Sequence, residues 1–212
     1  MYLSRIELDV KRQDTMKALV SPSRFHGAIE KASTDERNRK LWRIDSLGGR
    51  CYLMILSEKE ENWKPVADQY GAEGAQVESR NYNTLLNRIQ QNSEWHFLLR
   101  ANPTIAKKEK DNIKSRGKVL AHITEEFQKK WLIDRAEQNG FSLNEEDFLV
   151  TEKKWYSFYK GNEKKNHHVR MLAITYEGIL TVTDVSLFRN ALTKGIGREK
   201  AYGMGMLTIV SR

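Results

Sequence analysis

His26 stands two residues after Arg24 and five before Lys31, on a stretch whose apolar residues Phe25, Ile29 and Ala32 recur at helical spacing. An imidazole can take or give a proton near neutral pH, and nearby cations can offset charge developing on a phosphate. RNA carries its own nucleophile in the 2′-hydroxyl, so such a set suffices for phosphodiester transfer without a metal. A histidine bordering an apolar stripe is more often a packing or capping residue, and the residue types alone leave both readings open. Of the other four histidines, His96 falls inside an apolar-alternating segment and His122 near a helix start, with no catalytic neighbours. His167 and His168, being adjacent, would face opposite sides of a strand.

A second candidate lies near the C-terminus, where GIGREKAYGMG sets Gly195 and Gly197 before Arg198 and Lys200, and Gly203 and Gly205 after them. Glycines let a backbone bend sharply and approach a ligand, and exposed N–H groups beside cations suit phosphate. Lys200 is in the wrong place for a Walker loop, and the glycines do not follow the order of a dinucleotide fingerprint. The alternative is a helix cap at Gly195 followed by a turn. A third candidate runs from Lys153 to Arg170, where Lys153, Lys154, Lys160, Lys164, Lys165 and Arg170 interleave with Trp155, Tyr156, Phe158 and Tyr159 around a Gly-Asn turn. Such a hairpin can hold phosphates with its cations and stack on bases with its rings, or it can be amphipathic with the rings inward.

The elements that must position these residues follow from periodicity. Met1 to Val10 alternates as a strand, and a polar turn follows. Ser21 and Pro22 then open a helix. Lys40 to Asp45 and Arg50 to Leu56 read as strands joined by a turn at Ser46 to Gly49, residues 57 to 80 as charged and irregular, and Glu94 to Ala101 as a further strand. Thr124 opens a helix to about Gln138, with Phe127, Trp131, Leu132 and Ala136 inward and Gly140 closing it. Phe148 to Lys154, Trp155 to Tyr159, Val169 to Tyr176 and Gly178 to Thr183 are four strand candidates. Asp184 caps a helix carrying Val185, Leu187, Phe188, Ala191 and Leu192, and Met206 to Val210 is the last strand. Two helices crossing four strands in each half predicts an α+β chain of tandem ferredoxin-like, RRM-like domains, each an antiparallel sheet with two helices. Their expected bounds are 1–105 with the candidate histidine, 106–120 as linker or exposed loop, and 121–212 with the basic hairpin and glycine-rich loop.

Composition narrows the partners. With 36 Lys and Arg against 28 Asp and Glu the formal net charge is +8, which points to an anionic partner, nucleic acid first. No apolar run is long enough to span a membrane and no signal peptide is evident, so a cytoplasmic protein without membrane association is expected. The single cysteine, Cys51, excludes an internal disulfide framework and sits in an apolar run as a buried small residue. Acidic runs such as Glu58 to Glu61 and Glu145 to Asp147 read as solvated surface, and neither a metal nor a cofactor is expected. The tryptophans Trp42, Trp63, Trp95, Trp131 and Trp155 are core by default.

The opening MYLSRIEL, the VSPSRFHGAIEKA helix, KLWRID, FLLRANP at Phe97 to Pro103, YEGILTVTD and GIGREKAYGMGMLTIV together resemble the CasE family, the CRISPR repeat-processing endoribonucleases of the type I-E system that belong to the Cascade complex. The resemblance runs nearly end to end. It implies a tandem ferredoxin-like protein that binds the hairpin of CRISPR repeat RNA and cuts at its 3′ base without a metal, leaving a 2′,3′-cyclic phosphate and a 5′-hydroxyl. The mature crRNA would then be retained in Cascade beside other subunits. The family's catalytic histidine falls on His26, its basic companion on Lys31, and its glycine-rich loop on Gly195, Gly197, Gly203 and Gly205 with Lys200. Some members carry a tyrosine where this chain has Ser23, and Arg24 offers compensating charge. Two other readings stay open: an inactive RNA-hairpin-binding assembly subunit, and an enzyme that grips a nucleotide phosphate with the glycine loop.

Overall fold

A computed structural model describes residues 1–34, 40–107, 118–160 and 167–212. The chain opens with β1 (Tyr2–Glu7), α1 (Gln13–Val20), α2 (Ser23–Ala32), β2 (Leu41–Leu47), β3 (Arg50–Ser57), α3 (Lys64–Tyr70) and β4 (Glu78–Asn81). These strands form an antiparallel sheet in the order β2-β3-β1-β4, with the first crossover helix broken into two at Ser21 and Pro22. Ile6, Leu8, Trp42, Leu53 and Ile55 on one face of this sheet pack against Ala18 of α1, Phe25 and Ile29 of α2 and Val66 and Tyr70 of α3.

After a short α4 (Asn83–Leu86) the rhythm repeats: β5 (Glu94–Ala101), β6 (Thr104–Lys107), β7 (Lys118–Ala121), α5 (Glu125–Ala136), β8 (Phe141–Ser142), β9 (Phe148–Lys160), β10 (His167–Val182), α6 (Val185–Lys194) and β11 (Leu207–Ser211). Setting aside the β6–β7 ladder and the short β8, the second sheet runs β11-β5-β10-β9 and is also antiparallel. Both sheets therefore place the first strand of each unit between the third and the fourth, which is the ferredoxin-like order. The expected double β-α-β-β-α-β architecture is present.

Several local expectations are corrected. Glu94–Ala101, expected to end the first half, is the first strand of the second sheet, and the change of sheet falls between residues 81 and 94 rather than near 105. The true fourth strand, β4, reads ESRN with no apolar residue and is defined by its pairing with β1. The turn after β1 contains α1, and the irregular 57–80 stretch contains α3 as well as β4. The four strand candidates between Phe148 and Thr183 are two long strands. Gly178, expected to open a separate strand, lies within β10: a Cβ there would meet the Asp147 carbonyl oxygen at 2.2 Å and Phe148 Cα at 2.5 Å, so glycine admits the start of β9 against β10. Phe127 faces outward at 50% exposure while Gln128, Trp131 and Leu132 turn inward. Of the expected 106–120 linker, residues 108–117 lie outside the described ones, and its flanks pair as the β6–β7 ladder.

Arg43 ties the two sheets together. Its side chain is 3% exposed, and all five guanidinium N–H groups have acceptors. Nε and Nη2 grip the Asp45 carboxylate at 2.5 and 2.8 Å, Nη1 donates to the Leu98 and Met206 carbonyls at 2.9 Å each, and Nη2 reaches Thr208 Oγ1 at 2.8 Å. Beside it a cleft of about 580 Å³ opens between the sheets, with Arg5, Tyr52, Arg100, Glu152 and Lys154 among its walls.

Candidate functional site

His26 sits in the first half of α2, the ten-residue helix anchored by Phe25 and Ile29 at 1% and 0% exposure. Phe25 packs against the rings of Tyr70, 4.8 Å away, and Trp42, 5.8 Å away. The Tyr70 hydroxyl donates to the Arg24 carbonyl at 3.4 Å, and burial pushes its pKa up. Beyond the helix C-terminus, buried Glu61 accepts from Ser33 Oγ, Thr34 N and Thr34 Oγ1 at 2.9 to 3.0 Å. Burial opposes its charge, but these donors and Lys40 hold the carboxyl below its ordinary range. Both ends of α2 are thus fixed. The His26 side chain stays 28% exposed, with Nδ1 3.8 Å from Glu30 Oε1. Arg24 and Lys31 on the same helix are exposed.

The glycine-rich loop lies against this helix, because the 3-10 turn Lys200–Tyr202 packs on α2 and β2. All four glycines have positive φ, from +74° to +85°. A Cβ on Gly203 would come within 2.8 Å of the Trp42 ring, and one on Gly205 within 2.6 Å of the Ile196 carbonyl. The expectation of exposed loop N–H groups is corrected. Gly195 donates to Ala191, Gly203 to Lys200 and Gly205 to Arg100, so these N–H groups fold the loop rather than reach outward. Glycine is needed here so that the loop can close over Trp42, which itself packs on Phe25 of the His26 helix. Lys200 Nζ donates to the Lys194 carbonyl at 2.7 Å, capping α6. Arg198 is exposed at the loop's edge.

The basic hairpin is formed by β9 and β10, and its tip, with Lys164 and Lys165, lies outside the described residues. Its two faces differ. Tyr156, Phe158 and Met171 pack on Tyr202 and Met204 of the glycine loop, the Phe158 and Tyr202 rings meeting edge-on at 5.2 Å. Lys160 Nζ lies 5.9 Å from the Tyr202 ring and Lys154 Nζ 5.0 Å from that of Tyr156. The opposite face exposes Trp155 at 47% and Tyr159 at 66%, so Trp155 is not a core residue, whereas the other four tryptophans are buried. There Arg170 lies over the Trp155 ring, and His168 meets Ser157 Oγ at 2.9 Å. His167 pairs with Lys160 in the ladder and His168 with Tyr159, on opposite faces as expected. Lys153 is held by Glu125 at 3.2 Å.

The structure thus brings three sequence-distant features into one continuous contact: the helix of His26, the glycine loop and the inner face of the hairpin. Sequence reasoning placed Trp42 in the core, where it lies, but gave no part in the site to Tyr202 or Glu30. Only Glu30 left a signal, its i,i+4 spacing from His26. Cys51 is partly buried against the first core, and burial followed by the charge of Asp45 pushes its thiol up. Among the described residues no group of three or more His, Cys, Asp or Glu is placed to hold a metal ion. Nor is any helix of them long and apolar enough to cross a membrane.

A histidine-bearing helix clamped under a glycine-rich loop at the C-terminal end of a double ferredoxin-like fold defines a narrow class of protein. The family described as CRISPR associated protein matches residues 1–211, and the chain belongs to that family. The CRISPR-associated endoribonuclease Cse3 of Thermus thermophilus is 27% identical, the match covering 99% of each chain. A solved structure of CRISPR endoribonuclease Cse3 bound to 19 nt RNA superposes with a TM-score of 0.79 at 24% identity, over 99% of this chain and 100% of that one. The CRISPR-associated protein Cas6e of Escherichia coli K-12 gives 0.62 at 20% identity over the full length of both.

Proposed function

We propose that this protein is a type I-E CRISPR repeat endoribonuclease of the CasE kind. It binds the hairpin of repeat RNA, cuts at the hairpin's 3′ base without a metal ion, and keeps the mature crRNA as it joins other Cascade subunits in the cytoplasm. The observation that carries the reading is the contact of the His26 helix with the glycine loop and of that loop with the basic hairpin. In this reading the 2′-oxygen attacks the adjacent phosphorus and the bond to the 5′-oxygen breaks, which leaves a 2′,3′-cyclic phosphate and a 5′-hydroxyl. His26 carries one of the two proton transfers. Exposed Lys31 and Arg24 screen the phosphate as charge builds, and the hairpin cations with Arg198 hold the RNA backbone.

The binding half of the proposal is tested by salt. Replacing Lys160, Lys164 and Lys165 together by alanine should weaken hairpin binding. It should also flatten the log–log salt dependence by about 2.7, roughly 0.9 for each duplex phosphate that the variant leaves unneutralised. Anisotropy titrations of repeat RNA between about 50 and 200 mM salt measure the slope. An unchanged slope removes the hairpin from the interface.

A further inference from the structure

We propose that Arg135 of α5 joins Arg198 in a two-armed site for a single phosphate of the RNA backbone, built on the ring of Trp131. The inference deepens the RNA-binding reading and rests on it. Trp131 is the floor of the site: it is buried, and its ring stacks on that of Tyr176 with centroids 6.4 Å apart and planes 9° apart. One turn further along α5, the Arg135 guanidinium lies 4.2 Å over the same ring, and its Nη1 donates to the Trp131 carbonyl at 3.1 Å. The glycine loop reaches the ring as well. A Cβ on Gly197 would stand 3.1 Å from the ring atoms Cζ2 and Cη2, so a side chain there would crowd it. Arg198 is the next residue, and the shared ring therefore brings the two arginines together from places far apart in the sequence.

Two cations held this way call for an anion between them. Among the described residues neither Arg135 nor Arg198 makes an ion pair, and Asp134, beside Arg135 in the chain, is engaged by Lys130 at 3.1 Å. Burial lowers the Arg135 pKa, and the charge of Arg198 lowers it further against Asp134 and Tyr176. The backbone adds donors. Gly197 and Glu199, on either side of Arg198, are both left-handed at φ +85° and +59°, a conformation that a glutamate rarely takes. Gly195, Gly203 and Gly205 spend their N–H groups on the loop, but no backbone carbonyl among the described residues accepts from Gly197 or Arg198, and both residues are exposed. Open N–H groups in such a turn, beside two planar guanidinium forks, match the oxygens of a phosphodiester. The next turn of the loop, Lys200–Tyr202, packs on the His26 helix, so the site continues the surface assigned to the RNA.

Anisotropy titrations of repeat RNA on Arg135→Gln, Arg198→Ala and the double variant test this, with melting curves to check that each folds. Each single variant should lose roughly tenfold in affinity, the low end for a hydrogen bond to a charged group. Because both arms hold one phosphate, the double variant should lose far less than the roughly hundredfold to which independent contacts multiply. Its log–log salt slope should flatten by about 0.9, one duplex phosphate. Losses that multiply, with a slope change of about 1.8, place the arginines on separate phosphates and overturn the shared site. Affinities that stay at the wild-type value overturn it too. A second measurement needs no variant: inorganic phosphate titrated into the RNA-free wild type should shift the Gly197 and Arg198 amide signals in ¹H–¹⁵N spectra, and signals that stay in place overturn the anion site. A wild type with no affinity for repeat RNA overturns the RNA-binding reading instead, and the phosphate titration still decides whether the two arginines form an anion site.

Discussion

His26→Ala should cut repeat RNA at least ~10² to 10⁴ times more slowly than the wild type, the range expected when a positioned proton-transfer group is removed. Its affinity for the hairpin should stay within a few-fold. The separation follows from where the residue sits. The imidazole is partly exposed on α2, while the packing of that helix is carried by Phe25 and Ile29, so deleting the ring leaves the helix, the glycine loop and the hairpin in place. Single-turnover rates and binding isotherms on the same RNA measure the two quantities. A variant that cuts at the wild-type rate removes His26 from the chemistry. A variant that neither binds nor folds assigns the residue to packing.

Arg43→Ala should produce the largest loss of stability. The guanidinium is buried and spends every donor on the junction of the two sheets, so truncation strands the Asp45 carboxylate and two carbonyls. Breaking one partner out of a buried ion pair costs about 3 to 5 kcal/mol. For a chain of this length that is a fall in melting temperature on the order of 10 °C. Calorimetry or thermal circular dichroism reads it, and Arg43→Lys should recover little, since an ammonium cannot reproduce the planar fork. A melting temperature within a degree or two of wild type would mean that the sheets are held by their apolar contacts alone, through Leu41, Leu99 and Leu207. The same variant bears on function, because Met206 adjoins Gly205 and a loosened junction would free the loop from Trp42.

The contrast between these two residues shows what the sequence could disclose. His26, with its two cations and its apolar stripe, is visible because a helix writes its face into a spacing of three or four residues. The same holds for α6, where Asp184 accepts from the Leu187 N–H at 2.8 Å and Gly195 ends the helix. Arg43 is invisible because strand alternation places it and Asp45 opposite Trp42 and Ile44, on a face that reads as solvent. That face meets the second sheet, and no local pattern encodes the meeting of two sheets. β4 escaped for the converse reason: it has no apolar residue to alternate, and its neighbour β1 alone defines it. With β4 hidden, β5 looked like the close of the first unit, which displaced the change of sheet.

The candidate site was legible as residues but not as an arrangement. The glycines suggested a phosphate cradle, yet Gly195, Gly203 and Gly205 turn their N–H groups to the chain's own carbonyls, and their lack of a side chain serves Trp42 and the loop's closure. Interleaved lysines and rings left open a hairpin that stacks on bases and one whose rings all turn inward. The ladder separates them into an inner face docked on Tyr202 and an outer face presenting Trp155 and Tyr159.

The central claim is that the RNA's own 2′-hydroxyl is the nucleophile and that His26 moves a proton for it. The most direct test incubates the protein in excess EDTA with repeat RNA, and in parallel with the same RNA carrying a 2′-deoxy nucleotide at the cut, and identifies the product ends by mass spectrometry. The account predicts cutting of the all-ribose substrate to a 2′,3′-cyclic phosphate and a 5′-hydroxyl, and none of the deoxy substrate. Cutting of the deoxy substrate, or a requirement for added metal, would contradict it, and tight binding of both RNAs without cutting would make the protein a hairpin-binding assembly subunit.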